Sequence, residues 1–388
     1  MKTIQLRQKH VRPNVELFFE EDPPMIVRGK GQYLYDENGN EFLDCNFNVS
    51  HVGHLHPYVA EAVHKQILTL NVNSRFLNDK LSVYAKRLSS KFPEKLNFCY
   101  FTNSGSEAID LAIQMARAYH KGERHKILCL EMAYHGHLES TMRISVYKKK
   151  DGNYPRDLAA VIESERDEIT VCSVAAFIAE SFPSCADEIQ TGFGRIGTHF
   201  WAFERDQIVS DMVSSGKPIA NGYPLAALVV KSQVSNSFCA GKRTYFNTFG
   251  GAPVSMTAGL AVLDVIENDN LQQLAQEVGA YLKQKLQELQ LKHWLYVDVR
   301  GQGLLVGFEL IRNKDTLEPG TKEADELQVR MMKENRVLVN LDGKFNSVIK
   351  IEPPMCFSKK DADNVFKSAD RILGEIEARL KPTGKHTK

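Results

Sequence analysis

The chain reads as an α/β protein: a large domain built on a mostly parallel sheet flanked by helices, followed by a small α+β domain. Three observations predict this. Strand-like apolar runs at Leu96 to Phe101, Ile127 to Leu130, Val174 to Ala179 and Leu225 to Val230 alternate with stretches of helical spacing, the pattern of parallel βα units. From about Val262 the composition turns to long polar helices and paired strands. A length of 388 residues with 43% hydrophobic residues is enough to bury one large core and a smaller one.

In order along the chain, Met25 to Asp44 alternates apolar and polar positions around Asp36-Glu37-Asn38-Gly39, whose Asn-Gly pair marks a hairpin turn. Pro57 can open a helix in which Val59, Val63 and Ile67 share a face, and a second helix is expected from about Leu81 to Phe92. Leu96 to Phe101 reads as a buried strand. After it, Ile109, Ala112, Ile113 and Ala116 recur at helical spacing, which puts the Ser104-Gly105-Ser106 turn between a strand and a helix N-terminus. A single long polar helix is expected from Val262 through Leu289, then strands at Trp294 to Val299 and Leu304 to Leu310, with helices at Lys322 to Glu334 and Lys360 to Leu380. The expected division is an N-terminal segment, 1–52, packing with the small domain, a large domain, 53–261, and a C-terminal small domain, 262–388.

Charge excludes several functions. The 49 basic and 48 acidic residues are interspersed and leave a formal charge of +1, so no nucleic-acid surface is expected. The seven cysteines form no CxxC pair and no metal-ligand rhythm, which points to reduced thiols inside a cell and to no metal site. No apolar run approaches the roughly 20 residues of a membrane span. Lys2, Arg7, Lys9 and Arg12 without an early acid fit a mitochondrial presequence, but the stretch is short and serine-free, so mitochondrion and cytoplasm both stay open.

Chemistry concentrates in four places. In Ser214-Ser215-Gly216-Lys217-Pro218, glycine permits a sharp turn and proline fixes the exit, holding the Lys217 amine at a strand end, where it can form a Schiff base. Alone, such a lysine is more often a surface charge. Asp187, in Asp187-Glu188-Ile189-Gln190-Thr191-Gly192-Phe193-Gly194-Arg195, can keep a pyridine nitrogen protonated, although a loop carboxylate is the commoner fate of an aspartate. Asn103-Ser104-Gly105-Ser106-Glu107 can hold a phosphate on free N–H groups, yet its S-x-x-E spacing is that of a capping box, which taken alone is the commoner reading. Tyr134-His135-Gly136 sets an aromatic ring after the Ile127 strand, to stack on a planar cofactor or to fill core.

The order of these motifs, phosphate turn, aromatic, acid, lysine, resembles the class III (ω-type) aminotransferases, pyridoxal-phosphate enzymes of fold type I, over nearly the whole chain. The resemblance implies pyridoxal 5′-phosphate as cofactor, with Gly105 and Ser106 on its phosphate, Tyr134 on its ring, Asp187 at the ring nitrogen, Gln190 near the ring hydroxyl and Lys217 on the aldehyde. Thr248, in Asn247-Thr248-Phe249-Gly250-Gly251, matches the residue that reaches the neighbouring subunit's phosphate, which implies a homodimer or a homotetramer. Within the family the chain is most similar to phospho-lyases acting on O-phosphoethanolamine or 5-phosphohydroxylysine. The cues are Phe47-Asn48-Val49-Ser50-His51-Val52-Gly53-His54, Asn73-Ser74-Arg75-Phe76, Ala133-Tyr134-His135-Gly136-His137 and Lys350-Ile351-Glu352-Pro353-Pro354-Met355-Cys356-Phe357. Lys350 stands where ordinary members place an arginine that clamps a carboxylate, and a lysine cannot reproduce that fork. The substrate expected is thus a small phosphorylated amine, with Arg75 and Lys350 as candidate partners of its phosphate.

The chain departs from that pattern before Asp187. Glu180 ends one strand, and only Ser181 to Ala186 intervene, too few for the expected helix and strand of a crossover. A missing βα unit is expected, with Asp187 at risk of not reaching the ring. An ω-aminotransferase of the alanine–glyoxylate type and a catalytically dead shortened variant are the alternative readings.

Overall fold

A computed structural model describes residues 2–12, 14–19, 22–93, 95–130, 133–145, 159–162, 174–179, 185–240, 244–313 and 315–380. Its centre is a seven-stranded sheet of order β4-β10-β9-β8-β7-β5-β6. The strands are β4 (Leu96–Thr102), β5 (Lys126–Leu130), β6 (Ala159–Ile162), β7 (Val174–Ala179), β8 (Cys185–Asp187), β9 (Met212–Ser215) and β10 (Ala226–Lys231). All run parallel except β10, which is antiparallel to both β4 and β9. Helix α4 (Gly105–Tyr119) covers one face, burying Ile109, Ala112, Ile113 and Ala116 as their spacing predicts, against Ile127, Cys129, Ala176, Ile178 and Met212.

Before this sheet, β1 (Ile26–Lys30), β2 (Tyr33–Asp36) and β3 (Glu41–Asp44) form an antiparallel meander to which β14 (Val337–Leu338) adds in parallel. The Asn-Gly turn joins β2 to β3, with the Asp36 carboxylate accepting the N–H groups of Asn38 and Asn40. After it, β11 (Tyr296–Gln302), β12 (Leu305–Asn313), β15 (Asn340–Asp342) and β16 (Val348–Ile351) make a second antiparallel sheet, covered by the helix Leu271–Lys292 and α9 (Thr321–Asn335), on which α10 (Lys359–Leu380) packs in turn. Among the described residues no helix is long and apolar enough to cross a membrane.

Three expectations change. In α2 (Pro57–Ile67), Val59 is buried but Ile67 is 56% exposed, and Gln66 is buried in its stead. At about 100° per residue Gln66 comes within about 20° of Val59, whereas Ile67 lies about 80° away. The single long helix is two, α7 (Pro253–Asn268) and α8 (Leu271–Lys292), because Asn270 takes a left-handed φ of 51° between them. Third, the strand expected to be lost before Asp187 is present as β8.

That strand survives by being short. Cys185 lies opposite Ile178 and Ala186 opposite Ala179, so the chain leaving β7 has only two residues' length to return. A crossover that returns a full strand length needs a dozen residues or more. Residues 180–184 separate the two strands, too few for a crossover helix, so the loss falls on the connection. On the sheet face away from α4, Leu130 is 41% exposed and Leu128 and Phe177 are half-buried, while Ile127 and Cys129 on the α4 side are fully buried.

Candidate active site

Four strand ends meet at the carboxyl edge of the large sheet, where open α/β sheets bind ligands. The turn after β4 leads into α4 with Ser104 as cap. Ser104 Oγ accepts the Glu107 N–H at 3.3 Å, and Glu107 Oε2 accepts the N–H groups of Ser104 at 3.1 Å and Asn103 at 2.6 Å. The capping reading is therefore correct, and it leaves the N–H groups of Gly105 and Ser106, which have no intrahelical acceptor at a first turn. Ser106 Oγ accepts the His137 N–H at 3.1 Å, and a Cβ on Gly136, whose φ is +125°, would lie 2.6 Å from that oxygen. The Tyr134-His135-Gly136 segment thus docks directly on the Ser-Gly-Ser turn. Tyr134 is 41% exposed beside it, with burial of the rest of the ring raising its phenol.

Asp187 ends β8 opposite Ser214 of β9 and is buried. Its Oδ2 lies 2.8 Å from His135 Nδ1, and its Oδ1 accepts the Ile189 N–H at 3.2 Å and the Ser214 hydroxyl at 3.5 Å. The acid therefore reaches the floor of the site despite the shortened connection. Gly216 carries the chain past Ile189, and Lys217 opens the short 3₁₀ turn Lys217–Ala220 with its Nζ 3.4 Å from Gln190 Oε1. Asn221, which ends that turn, accepts the Val52 N–H and donates to Gly53 O, both at 2.9 Å, anchoring it to the N-terminal segment.

Around this floor lie Lys350 and two residues that the sequence did not single out, Glu352 and Arg195. Glu352, just past β16, is buried, and it accepts the Gln190 side-chain amide on one oxygen and the Asn48 amide at 3.0 Å on the other. Lys350 Nζ is 2.8 Å from Asp342 Oδ2 and 3.5 Å from Glu352 Oε2. Arg195 is fully buried and donates to Leu304 O at 3.0 Å, Pro353 O at 2.9 Å and His51 Nδ1 at 3.1 Å, tying the glycine-rich segment to the C-terminal sheet and the N-terminal segment. Burial lowers its guanidinium to about 10, still charged at neutral pH. An acid two positions from a lysine, as Glu352 is from Lys350, carries no sequence signal beyond that of a surface pair.

Arg75 and Thr248 lie elsewhere, on the outer surface. Arg75 is exposed and stacks on Phe246 at 3.9 Å, in the same loop as the exposed Thr248. Asn103 Nδ2 donates to Asn247 Oδ1 at 2.8 Å, which ties that loop to the residue before the Ser-Gly-Ser turn. Phe76, Leu77 and Phe249 are also exposed, at 64%, 100% and 67%.

Comparison with known proteins agrees with this architecture. The model of the class-III aminotransferase family matches residues 20–173 and 184–373, and the chain belongs to that family. It is 40% identical to the alanine–glyoxylate aminotransferase 2-like protein of Drosophila melanogaster, over 93% of this chain and 85% of that protein. It is 34% identical to the ethanolamine-phosphate phospho-lyase homolog 1 of Caenorhabditis elegans, over 95% of this chain and 92% of that one. The structure of a phospholyase from Arthrobacter in complex with phosphoethanolamine superposes with a TM-score of 0.88 at 28% identity, covering 96% and 99% of the two chains. The alignment to the fly protein spans 420 positions against the 388 residues here, so segments of that relative have no counterpart in this chain.

The family depends on pyridoxal 5′-phosphate, and the residues present fit that group. Side chains larger than glycine at 105 and 136 would fill the turn, the half-exposed Tyr134 ring offers a flat face, and the buried Asp187 ends β8 opposite Ser214 of β9, the strand that leads into Lys217. The Ser215 hydroxyl, one residue before Gly216, is buried with no partner among the described atoms.

Proposed function

We propose that this chain is a phospho-lyase that removes phosphate from a small phosphorylated amine, O-phosphoethanolamine or 5-phosphohydroxylysine, releasing an aldehyde, ammonia and inorganic phosphate. The observation that carries the reading is Lys350 on β16, where a carboxylate-clamping member of the family has arginine. One ammonium offers no planar fork to a carboxylate but can serve a phosphate as a point charge. The likeness to a phospholyase seen with phosphoethanolamine and to a phospho-lyase homolog supports the same choice.

In this reading Gly105 and Ser106 would donate to the cofactor phosphate, Tyr134 would stack on its ring, Asp187 would face its nitrogen, Gln190 would lie near its hydroxyl and Lys217 would hold its aldehyde. When bound, the cofactor supplies an electron sink for the carbon next to the substrate amine. With the cofactor bound, Lys217 Nζ would take the proton from that carbon. The C–O bond to phosphate on the adjacent carbon breaks with both electrons leaving on phosphate, that carbon takes up the proton removed from its neighbour, and one water supplies the aldehyde oxygen as ammonia departs. Arg75 and Lys350 are assigned to the substrate phosphate. Because Arg75 and Thr248 lie on the exposed, partly apolar surface with Phe76, Leu77 and Phe249, the working unit is a dimer in which that surface meets a second copy. The division at 52 and 261 is retained for its domains.

A specific observation favours a second reading. Lys350 already lies between Asp342 and Glu352, so its charge is shared, and an ω-aminotransferase would not call on it for phosphate. The deciding experiment incubates the cofactor-loaded protein with each phosphorylated amine and measures inorganic phosphate, and separately with alanine and glyoxylate and measures pyruvate. Phosphate release without amino transfer is the expected result. Pyruvate without phosphate selects the aminotransferase, and neither product, with no cofactor reducible onto Lys217 by borohydride, selects the dead variant.

A further inference from the structure

We infer that Glu352 is a positioning residue that fixes how Gln190 faces Lys217, and that it does so for either reaction. An ionised carboxylate only accepts hydrogen bonds, whereas a side-chain amide has one donating and one accepting end. Glu352 Oε1 takes the NH₂ end of Gln190, so the carbonyl end must point the other way, and there it meets Lys217 Nζ at 3.4 Å. With a neutral or absent side chain at 352, the amide could turn over and aim its NH₂ at the lysine. The carboxylate is itself held: Asn48 Nδ2 donates to Oε2 at 3.0 Å, Lys350 Nζ lies 3.5 Å from the same oxygen, and the Glu352 N–H is bonded to Cys45 O at 2.8 Å. The other charges around the group are Arg195, which feels its field, and Asp342 behind Lys350. The consequence is that the amine which must hold an aldehyde and move a proton always finds an acceptor, which favours its ammonium form.

The test reads Lys217 itself. In the full-length protein freed of cofactor, the pH dependence of acylation of Lys217 by a small amine reagent, followed by mass spectrometry of its peptide, gives a midpoint. In the cofactor-loaded protein the pH titration of the visible absorption band gives a second. Replacing Glu352 by glutamine (E352Q) is expected to lower the acylation midpoint by roughly half a unit to one unit and to displace the midpoint of the visible band. Gln190→Ala should lower the acylation midpoint similarly, and E352Q should add nothing in that background. Asn48→Ala, which removes only a support of the carboxylate, should give a smaller fall and serves if the E352Q chain does not fold. Unchanged midpoints in E352Q and Asn48→Ala overturn the inference. So does an E352Q shift of the same size with and without Gln190, since Glu352 would then act on Lys217 by charge alone.

Discussion

Ile189 links the two glycines on which the site depends. A Cβ on Gly105 would lie 2.5 Å from its Cδ1, and one on Gly216 would lie 3.2 Å from its Cγ2. The Ser-Gly-Ser turn and the turn that carries Lys217 are therefore spaced by a single residue, Ile189, whose backbone N–H also bonds Asp187. Gly105→Ala forces either Ile189 or the turn to move, and we expect the cofactor Kd to rise at least tenfold, about 1.4 kcal/mol. Ile189→Ala in the same chain relieves the contact and should recover much of that loss. Titrating cofactor into the two variants checks this, and an unaltered Kd for Gly105→Ala would show that the turn does not hold the phosphate. Sequence made Gly105, Lys217 and Asp187 legible because each sits in a local motif with its own chemistry. Ile189 and Glu352 were not legible, because their roles come from which strand ends lie side by side.

Among the elements, β8 shows what a short strand can still do. It pairs on both sides, with β7 and β9, and its last residue is the acid of the site, yet residues 180–184 leave no room for a helix over the sheet. The face away from α4 leaves Leu130 41% exposed, which is apolar area that a crossover helix would remove from water. Inserting a helical connecting segment between residues 184 and 185 should raise Tm by about 1–2 °C, which for a chain of this size is a gain of ~1–2 kcal/mol. An unchanged Tm in differential scanning calorimetry would mean that this face gains nothing from a helix. The strand before the gap, β7, was readable from its apolar run. A three-residue strand was not, since Cys185-Ala186-Asp187 has too little pattern to register, and it exists only because Ile178 and Met212 stand ready on either side. The long helix misread as one piece failed for the opposite reason: a single left-handed asparagine ended a pattern whose apolar spacing ran on.

For the whole molecule, two buried groups that pin the glycine-rich segment make the fold's stability depend on pH. His51 is fully buried, with Nε2 2.8 Å from Phe193 O and Nδ1 facing Arg195, and burial together with that guanidinium lowers its pKa from 6.5 to about 3. Glu188 accepts the Thr191 hydroxyl at 2.6 Å and the N–H groups of Ala202 and Phe203 at 3.0 and 2.8 Å, and burial still raises it from 4.5 to about 7. Between pH 6.5 and 3 the unfolded chain binds a proton at His51 that the folded chain refuses, so stability falls as the pH falls. Between pH 4.5 and 7 the folded chain keeps a proton on Glu188 that the unfolded chain gives up, so stability falls as the pH rises. The two slopes oppose each other from 4.5 to 6.5, and their joint contribution is level there and declines on either side. Thermal melts across pH 3–8 can separate the two. The Tm advantage of the wild type over His51→Gln should shrink as the pH drops from 6.5 towards 3, and its advantage over Glu188→Gln should shrink as the pH climbs from 4.5 towards 7. Differences that hold constant with pH would mean that neither side chain changes its proton count on folding, and that the segment is pinned by packing and hydrogen bonds alone.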